Sequence, residues 1–398
     1  MKKLTVEDIA IEGKRVLMRV DFNVPLEDNK VANDKRIRAA LPTIKYIIER
    51  AGKLILMSHL GRPKGQRMPD MSLKPCVPVL GELLGKQVYF ADDCVGVSAE
   101  AAVDKLAEGG VLLLENLRYY SQETENDPDF AASLAKLGDV YVNDAFGTAH
   151  RAHASTEGIT RHFAQCAAGY LMMKELEYLG AVMEKPQRPF LAILGGAKIS
   201  GKIEVISNLL PRVDNILIGG GMSYTFFKAA GREVGNSLLE EDKIEFAKRL
   251  IDEGEGKIVL PVDCIVSDTF DFSARKVGVL KEVGANEIPE GWQGLDIGSK
   301  TIDHFKNHIA AAKTIIWNGP MGVFEVDVTA KGTFAIANML AAATSRGATT
   351  VIGGGDSAAA IEKAGVAQKV SHVSTGGGAS LEFMEGKILP GVAALTDK

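Results

Sequence analysis

The sequence predicts an α/β protein of two doubly wound, Rossmann-like parallel-sheet domains joined by a helical hinge, on three observations. Short Val/Ile/Leu-rich runs alternate along the chain with amphipathic stretches of helical length, as in repeated β-α-β units. The runs are apolar throughout rather than alternating, the pattern of strands buried on both faces of a parallel sheet. The residues after these runs differ between the halves: Arg and His in the first, glycine clusters in the second.

In the first half VLMRV at 16–20 leads to the helical stretch RIRAALPTIKYIIERAG, LILMSH at 54–59 to LKPCVPVLGELLG, and VLLLENL at 111–117 to DPDFAASLAKLG. The run VYVN at 140–143 opens directly into DAFGTAHRAH. A longer helical pattern, AGYLMMKELEYLGAVM, then ends in EKPQRP at 184–189, where two prolines and several charges stop it. The domain boundary is placed there, giving residues 1–184 and 185–398, with the helical segment as connector and part of a hinge. The second half continues with FLAILGG at 190–196, NILIGGG at 215–221, TTVIGGG at 349–355 and SHVSTGGG at 371–378. Between them lie the helical stretches SGKIEVISNLL, EDKIEFAKRLIDEG, SKTIDHFKNHIAAA, TAKGTFAIANMLAAATS and DSAAAIEKAG.

Composition narrows the function classes. The 398 residues suffice for two or three domains, and 46% hydrophobic with 24% charged residues is ordinary for a globular protein. A net charge of −5 argues against broad nucleic-acid binding, which needs a continuous basic surface; local basic clusters in an acidic chain instead focus a small anion. Cys76, Cys94, Cys166 and Cys264 follow no metal or disulfide spacing, so buried thiols in a reducing compartment are expected. The N-terminal lysines soon meet Glu7 and Asp8 with no apolar core of a signal peptide, and no run reaches the ~18 residues of a membrane span. A cytoplasmic location, without membrane or nucleic-acid partners, is expected.

In an open α/β sheet ligands sit outside the carboxyl ends of the strands. Arg19, His59, Arg62, Arg118, His150, Arg151 and His153 fall there in the first half, and Gly195, Gly219, Gly353 and Gly376 in the second. One half offers guanidinium groups to an anion, the other bare backbone and helix N-termini. Arg19, Asp21 and Asn23 alternate with apolar residues and share one side of an extended segment, which suits ligand contact. His150, Arg151 and His153 lack a further ligand at zinc spacing, leaving anion binding to Arg151 and packing or hydrogen bonding to the histidines. GAKISGK at 196–202 has the G-x4-G-K spacing of a P-loop, but Ile203 stands where a magnesium-holding Ser or Thr is required. GGGDSA at 353–358 fits the dinucleotide turn G-x-G-x-x-A, yet no acid follows about 20 residues on to hold a ribose. It does present a helix N-terminus through glycine, with Asp356 able to hold a metal ion. Lys198 and Lys202, at i and i+4 after a glycine turn, are expected on the first turn of a helix, facing one side.

Taken together, RVDFNVP, SHLGRP, ENLRYY, NDAFGTAHRAHAS, ILGGAKISGKI, LIGGGMSYTFF, WNGPMGVFE, VIGGGDSA and STGGGASLE, in this order, resemble the phosphoglycerate kinase family over essentially the whole chain. The resemblance implies a 3-phosphoglycerate (or 1,3-bisphosphoglycerate) site of Asp21, Asn23, Arg36, His59, Arg62, Arg118 and Arg151 in the N-terminal domain. It implies catalytic roles for Arg36, Lys198, Gly355 and Gly378, with Lys198 stabilising the transferring phosphoryl group. It implies an ATP/ADP site of Gly196, Lys202, Gly220, Gly294, Leu295, Asn318, Glu325, Gly353, Gly354, Gly355, Asp356 and Ser357. Within that set Glu325 would meet the ribose, Gly294 and Leu295 would border the adenine, and Asp356 would hold Mg2+. Ser357 stands where many members carry threonine and keeps the hydroxyl. The resemblance further implies a monomer that bends at its hinge, with the last 20–25 residues or so packing back on the N-terminal domain.

The residue chemistry agrees. A carboxylate acceptor with a pKa near ~3.5 to 4 is ionised at pH 7 and needs no general base, and the sequence offers cations and glycine amides instead. Such groups align a phosphoryl group and neutralise its equatorial oxygens, provided water is excluded. A nicotinamide-dependent dehydrogenase shares the sheet and the glycine turn but requires the missing ribose acid. A two-lobed anion-binding protein has no use for Lys198, Lys202 and Asp356 together.

Overall fold

The computed structural model describes residues 2–398. The chain divides into two compact units, Met1–Glu177 with Ile388–Lys398, and Tyr178–Lys387. The division falls inside the helix Tyr170–Glu184, seven residues before the 184/185 boundary read from the prolines. The start of that helix is anchored in the first unit, where Met172 N–H donates to Asp144 Oδ1 at 3.0 Å, whereas Tyr178 stacks on His372 of the second unit at 4.9 Å. The returning segment begins at Ile388 and is shorter than expected, because the helix Gly378–Met384 belongs to the second unit.

In the first unit six parallel strands lie in the order Tyr89–Ala91, Val111–Leu114, Lys53–Met57, Arg15–Arg19, Val140–Asn143, Cys166–Ala168. The chain fills one side of Arg15–Arg19 first, laying Tyr89–Ala91 at the edge before Val111–Leu114 is inserted inside it, and then fills the other side, so the topological switch lies between Arg15–Arg19 and Val140–Asn143. Burial of four residues in Arg15–Arg19, and of all of Val111–Leu114, requires cover on both sheet faces, as the unbroken apolar runs predict. Helices such as Lys35–Ile48 supply it, burying Ile37, Ala40, Thr43, Ile44 and Ile47 at helical spacing.

The second unit has six parallel strands in the order Ile258–Val259, Asn215–Ile218, Phe190–Leu194, Thr314–Asn318, Thr349–Gly353, His372–Val373. Numbered along the chain this is 3-2-1-4-5-6, the dinucleotide-fold order, with its switch between Phe190–Leu194 and Thr314–Asn318. TIIWN, the strand Thr314–Asn318, was not among the predicted runs although every residue in it is buried. It follows the helix Ser299–Ala311 almost without a break and ends in Asn-Gly-Pro rather than in a glycine cluster, so the pattern used to find its neighbours misses it. A three-stranded antiparallel sheet, Leu280–Gly284, Asp263–Ser267, Gln293–Ile297, is also additional to the predicted doubly wound architecture. It closes over a separate small core of Tyr224, Phe227, Cys264, Val266 and Ile288. All four cysteines are free and buried. Among the described residues no helix is long and apolar enough to cross a membrane.

Candidate active site

Each unit presents one cavity at the carboxyl ends of its strands. In the first, a cavity of about 480 Å3 is lined by Arg62, Lys64, Gly65, Arg118, Tyr120, Ser121, Thr124 and Arg151. Arg118 follows the strand Val111–Leu114 within a short 3-10 turn capped by Asn116, whose Oδ1 accepts from Arg118 N–H at 3.0 Å. Its Nη1 donates to Gly61 C=O at 2.9 Å, and its buried Nε has no partner. Burial, with Arg19 and Arg151 nearby, lowers the Arg118 pKa to about 10, the state of a cation short of counter-charge. Arg62 and Arg151 are exposed, with Arg151 Nε donating to His150 Nε2 at 3.2 Å.

Asp21, Asn23, Arg36 and His59 do not line this cavity but are tied to it. Gly61 N–H donates to Asn23 Oδ1 at 2.9 Å, and Arg36 Nη1 bridges both Asp21 oxygens at 3.0 and 2.9 Å. Burial, then Arg19, Arg118 and Arg36, hold the His59 pKa well below its usual value, and burial, then Arg118, Arg19 and Arg151, lower His153 to about 3. Arg19, grouped with Asp21 and Asn23 as a ligand contact on sequence grounds, is instead fully buried with its guanidinium engaged by protein groups. The strand ends at Arg19, so the alternation that placed the three on one side does not continue past it.

The second cavity, about 320 Å3, sits at the switch point and is lined by Gly195, Gly196, Ala197, Lys198, Lys202, Asn318, Gly319, Gly354, Gly355, Asp356, Ser357, Gly377, Gly378 and Leu381. Glycine is required where the two central strands end: a Cβ on Gly195 would lie 2.1 Å from Pro320 O, and one on Gly319 2.1 Å from Gly195 O. Gly354, at φ +88°, turns the chain from the strand Thr349–Gly353 into the helix Gly355–Lys363, whose first turn faces the cavity with free backbone N–H groups. Ser357 Oγ is buried and accepts from Gly319 N–H at 2.6 Å, so the hydroxyl ties the two switch loops together.

The lysines are not arranged as expected. Lys198 is exposed in the glycine loop, ahead of the 3-10 turn Ser200–Lys202, and the helix Ile203–Leu209 starts only after Lys202. The turn intervenes because Gly196, at φ +105°, swings the loop away before helical geometry begins. Both lysines nonetheless line the same cavity. Lys202 is half-buried and donates to Asn318 Oδ1, leaving Asn318 Nδ2 buried without a partner. Burial lowers the Lys202 pKa to about 8, with Asp356 and Glu385 opposing the shift.

Gly220, Gly294, Leu295, Glu325 and Gly353 do not line this cavity. Gly220 packs against the Gly196 turn, where a Cβ would lie 2.6 Å from Gly196 N, and Gly353 adjoins the Asn318 amide. Gly294 is covered by Tyr224 and Leu295 is buried in the antiparallel sheet; Val323 N–H donates to Leu295 C=O at 2.8 Å, which brings the Glu325 loop beside them. Among the described residues no group of three or more His, Cys, Asp or Glu side chains could hold a metal ion. Asp356 is an exposed carboxylate on the cavity wall, and one carboxylate beside a phosphate site is the donor set Mg2+ takes, since it keeps waters and shares the phosphates. The residues therefore fit that ion. Lys64, Gly65, Tyr120, Ser121, Thr124, Ala197, Gly319, Gly377 and Leu381 line the cavities without having been singled out as site residues; Ala197 and Gly377 lie in glycine-rich segments that the sequence marks, and Gly319 stands in Asn-Gly-Pro after an apolar run. One cavity is thus lined by three arginines and the other by glycine turns, two lysines and Asp356.

The family model described as phosphoglycerate kinase matches residues 6–387. The curated phosphoglycerate kinase of Chloroherpeton thalassium is 57% identical over 400 residues, and that of Chlorobaculum tepidum 58% over 402, each match covering 100% of both chains. Among solved structures, phosphoglycerate kinase from Coxiella burnetii superposes with a TM-score of 0.88 at 37% identity, and that from Pyrococcus horikoshii with 0.85 at 34%, each covering 98% of both chains.

Proposed function

The chain belongs to the phosphoglycerate kinase family and transfers a phosphoryl group reversibly between 1,3-bisphosphoglycerate and ADP, giving 3-phosphoglycerate and ATP in glycolysis and gluconeogenesis; on that premise we propose how its residues divide the work. The observation that carries the proposal is chemical segregation: three arginines line one cavity, while the glycine turns, Lys198, Lys202 and Asp356 line the other, in a different unit.

Arg62, Arg118 and Arg151 bind the phosphate of 3-phosphoglycerate through charge-assisted hydrogen bonds. Asp21, Asn23 and His59 orient its polar carbons, and Arg36, held by Asp21, neutralises the carboxyl end that accepts the phosphoryl group. In the other unit Lys202, the N–H groups of Gly354–Ser357 and the unpartnered Asn318 Nδ2 take the nucleotide phosphates. Gly294, Leu295 and Glu325 serve the nucleoside end. Asp356 would hold Mg2+, which when bound would offset charge on the phosphate oxygens. Lys198, with Arg36 and the amides of Gly355 and Gly378, stabilises the equatorial oxygens of the group in flight. No side chain moves a proton, because the acceptor carboxylate is already ionised. We further propose a cytoplasmic monomer in which the hinge brings the two bound substrates together and excludes water.

The experiment is a cross-binding matrix. Arg62→Ala and Arg151→Ala should each weaken 3-phosphoglycerate binding roughly ten- to hundred-fold, the loss of a charged hydrogen-bond pair, and leave MgADP unaffected. The paired Lys198→Ala, Lys202→Ala protein should still bind 3-phosphoglycerate. The radius of gyration from small-angle scattering should shrink most with both ligands bound. MgADP binding that depends on Arg62 and Arg151, or an unchanged radius, overturns the division of labour.

A further inference from the structure

Behind the arginine cavity lies a buried relay that the assignments above leave unused. Arg19 is fully buried at the end of its strand, and all of its guanidinium nitrogens are engaged. Nε donates to Ser155 Oγ at 2.9 Å, Nη1 donates to the Val20 carbonyl, and Nη2 lies 3.1 Å from His59 Nδ1. Ser155 passes the connection on: its Oγ donates to Glu123 Oε1 at 2.7 Å and its N–H to Glu123 Oε2 at 3.0 Å. Glu123 is itself completely buried, in the first turn of the helix Ser121–Glu125.

The direction of each bond follows from the inventory of donors. A guanidinium has donors only, so His59 Nδ1 must accept, and a neutral imidazole that accepts at Nδ1 carries its proton on Nε2. Ser155 has one hydroxyl proton, directed at Glu123, so it can receive the Arg19 bond. His59 Nε2 has no hydrogen-bond partner among the described residues, yet it is not one of the buried nitrogens sealed in without one, as His153 Nδ1 is. The other charged or titratable groups bearing on His59 are Arg118, Arg36 and His153, and all of them disfavour an imidazolium.

We infer that Arg19 and Glu123 are positioning residues for the substrate of the first unit, holding His59 as a neutral imidazole that presents Nε2–H as a donor to an anionic or hydroxyl oxygen of 3-phosphoglycerate. The inference rests on the assignment of His59 to that substrate. The other neutral tautomer would carry its proton on Nδ1 and turn the Nε2 lone pair toward the anion; the Arg19 donor at Nδ1 removes that tautomer. Glu123 supplies the counter-charge that lets Arg19 remain buried and charged.

The test uses the full chain labelled with 15N in its histidine rings. In the wild type at pH 7.5, long-range proton–nitrogen spectra should show His59 unprotonated at Nδ1 and protonated at Nε2. Because removing Arg19 alone strands the Glu123 charge, the informative variant is Arg19→Met, Glu123→Gln, with Arg19→Lys as a second: its single ammonium keeps the charge but cannot serve Ser155, Val20 and His59 together. Both should give a mixture of tautomers and raise the KM for 3-phosphoglycerate roughly ten-fold, the scale of one hydrogen bond, with kcat little changed and MgADP affinity intact. His59→Ala should raise that KM comparably, and adding Arg19→Met, Glu123→Gln to it should cost nothing more. A wild-type His59 protonated on Nδ1, tautomers unmoved in the variants, or additive losses overturn the relay. If the tautomer is as stated but His59→Ala leaves the KM unchanged, the substrate assignment of His59 is what fails, and the two failures are told apart.

Discussion

Lys198 and Lys202 share a cavity wall but not an environment, and the difference separates their expected roles. Lys198 is exposed on a loop turned by Gly196, with room to reach the transferring group, whereas Lys202 is half-buried against Asn318 and loses charge readily, its pKa lowered to about 8. A side chain acting on charge that develops only in the transition state shows its loss in kcat; one bound to a ground-state phosphate shows it in KM. Lys198→Ala should therefore lower kcat by roughly 10² or more with little change in nucleotide affinity, and Lys202→Ala should mainly raise the nucleotide KM. Steady-state kinetics in both directions check this, and equal KM effects with kcat intact would reverse the assignment. The types and positions of both lysines were legible in the sequence because a glycine turn followed by cations has few other uses. Their geometry was not, since i, i+4 spacing implies a shared helical face only if the helix has already begun. Arg19 shows the same limit: sequence marks a cation at a strand end, but whether it meets ligand or holds another side chain depends on Ser155 and Glu123, more than 100 residues away.

At the scale of elements, two buried aspartates hold segment starts and titrate abnormally. Asp144 accepts from Met172 N–H at the start of the helix Tyr170–Glu184, and Asp296 accepts from Gly332 N–H at 2.7 Å at the start of the helix Lys331–Ser345. Burial pushes each pKa from 3.8 up to about 7, against the opposing hydrogen bonds. Between those limits the folded carboxyls keep protons that the unfolded chain has released, so their contribution to stability falls as pH rises from about 4 to 7 and levels off above. His59 and His153, with lowered values, act in the opposite sense below pH 6.5, so the absolute curve mixes the two. The difference between wild type and Asp144→Asn or Asp296→Asn isolates the aspartates: relative to wild type, each variant should gain up to about 2 kcal/mol between pH 5 and 7 in urea unfolding. A difference independent of pH would show that these carboxyls are ionised throughout. The helices these residues hold were readable from apolar spacing, as were eight strands bounded by Arg/His or glycine signals. The strand Thr314–Asn318 and the antiparallel sheet escaped because one lacked the glycine signature and the other alternates weakly around a small separate core, and Tyr89–Ala91, Cys166–Ala168 and Ile258–Val259 escaped because two or three residues are too few to show a run.

At the scale of the molecule, the chain leaves its first unit at residue 177 and returns to it at 388, so that unit is built from two separate stretches of sequence. The returning segment is bonded in detail. Lys3, almost fully buried, donates from Nζ to Leu395 C=O at 2.8 Å and Ala393 C=O at 3.2 Å, and pairs with Asp397 at 2.7 Å. Thr396 N–H donates to Cys166 C=O at 3.0 Å, at the sheet edge, and Gly391 N–H donates to Ala149 C=O at 2.8 Å. That last contact adjoins His150 and Arg151, so the returning segment braces the loop that carries Arg151, one of the arginines proposed to bind substrate. Deleting residues 388–398 should lower the first unit's melting temperature and raise the KM for 3-phosphoglycerate several-fold, because Arg151 must then be ordered at the moment of binding at an entropic cost of roughly 1 kcal/mol or more. MgADP affinity, a property of the second unit, should not change. Gly391→Val separates bracing from folding: a Cβ there would sit 3.0 Å from Ala149 Cα, so the bulkier side chain should push the loop while the rest of the segment stays bound. Its expected signature is a raised 3-phosphoglycerate KM at a nearly unchanged melting temperature, measured by coupled assay and calorimetry. A deletion protein with wild-type KM would mean the 145–151 loop holds its shape through contacts inside its own unit, from the Asn143 and Thr148 side chains to Ala145 N–H and C=O, each at 3.0 Å, and from Thr156 Oγ1 to Arg151 C=O at 3.1 Å, and that the returning segment contributes stability without shaping the site.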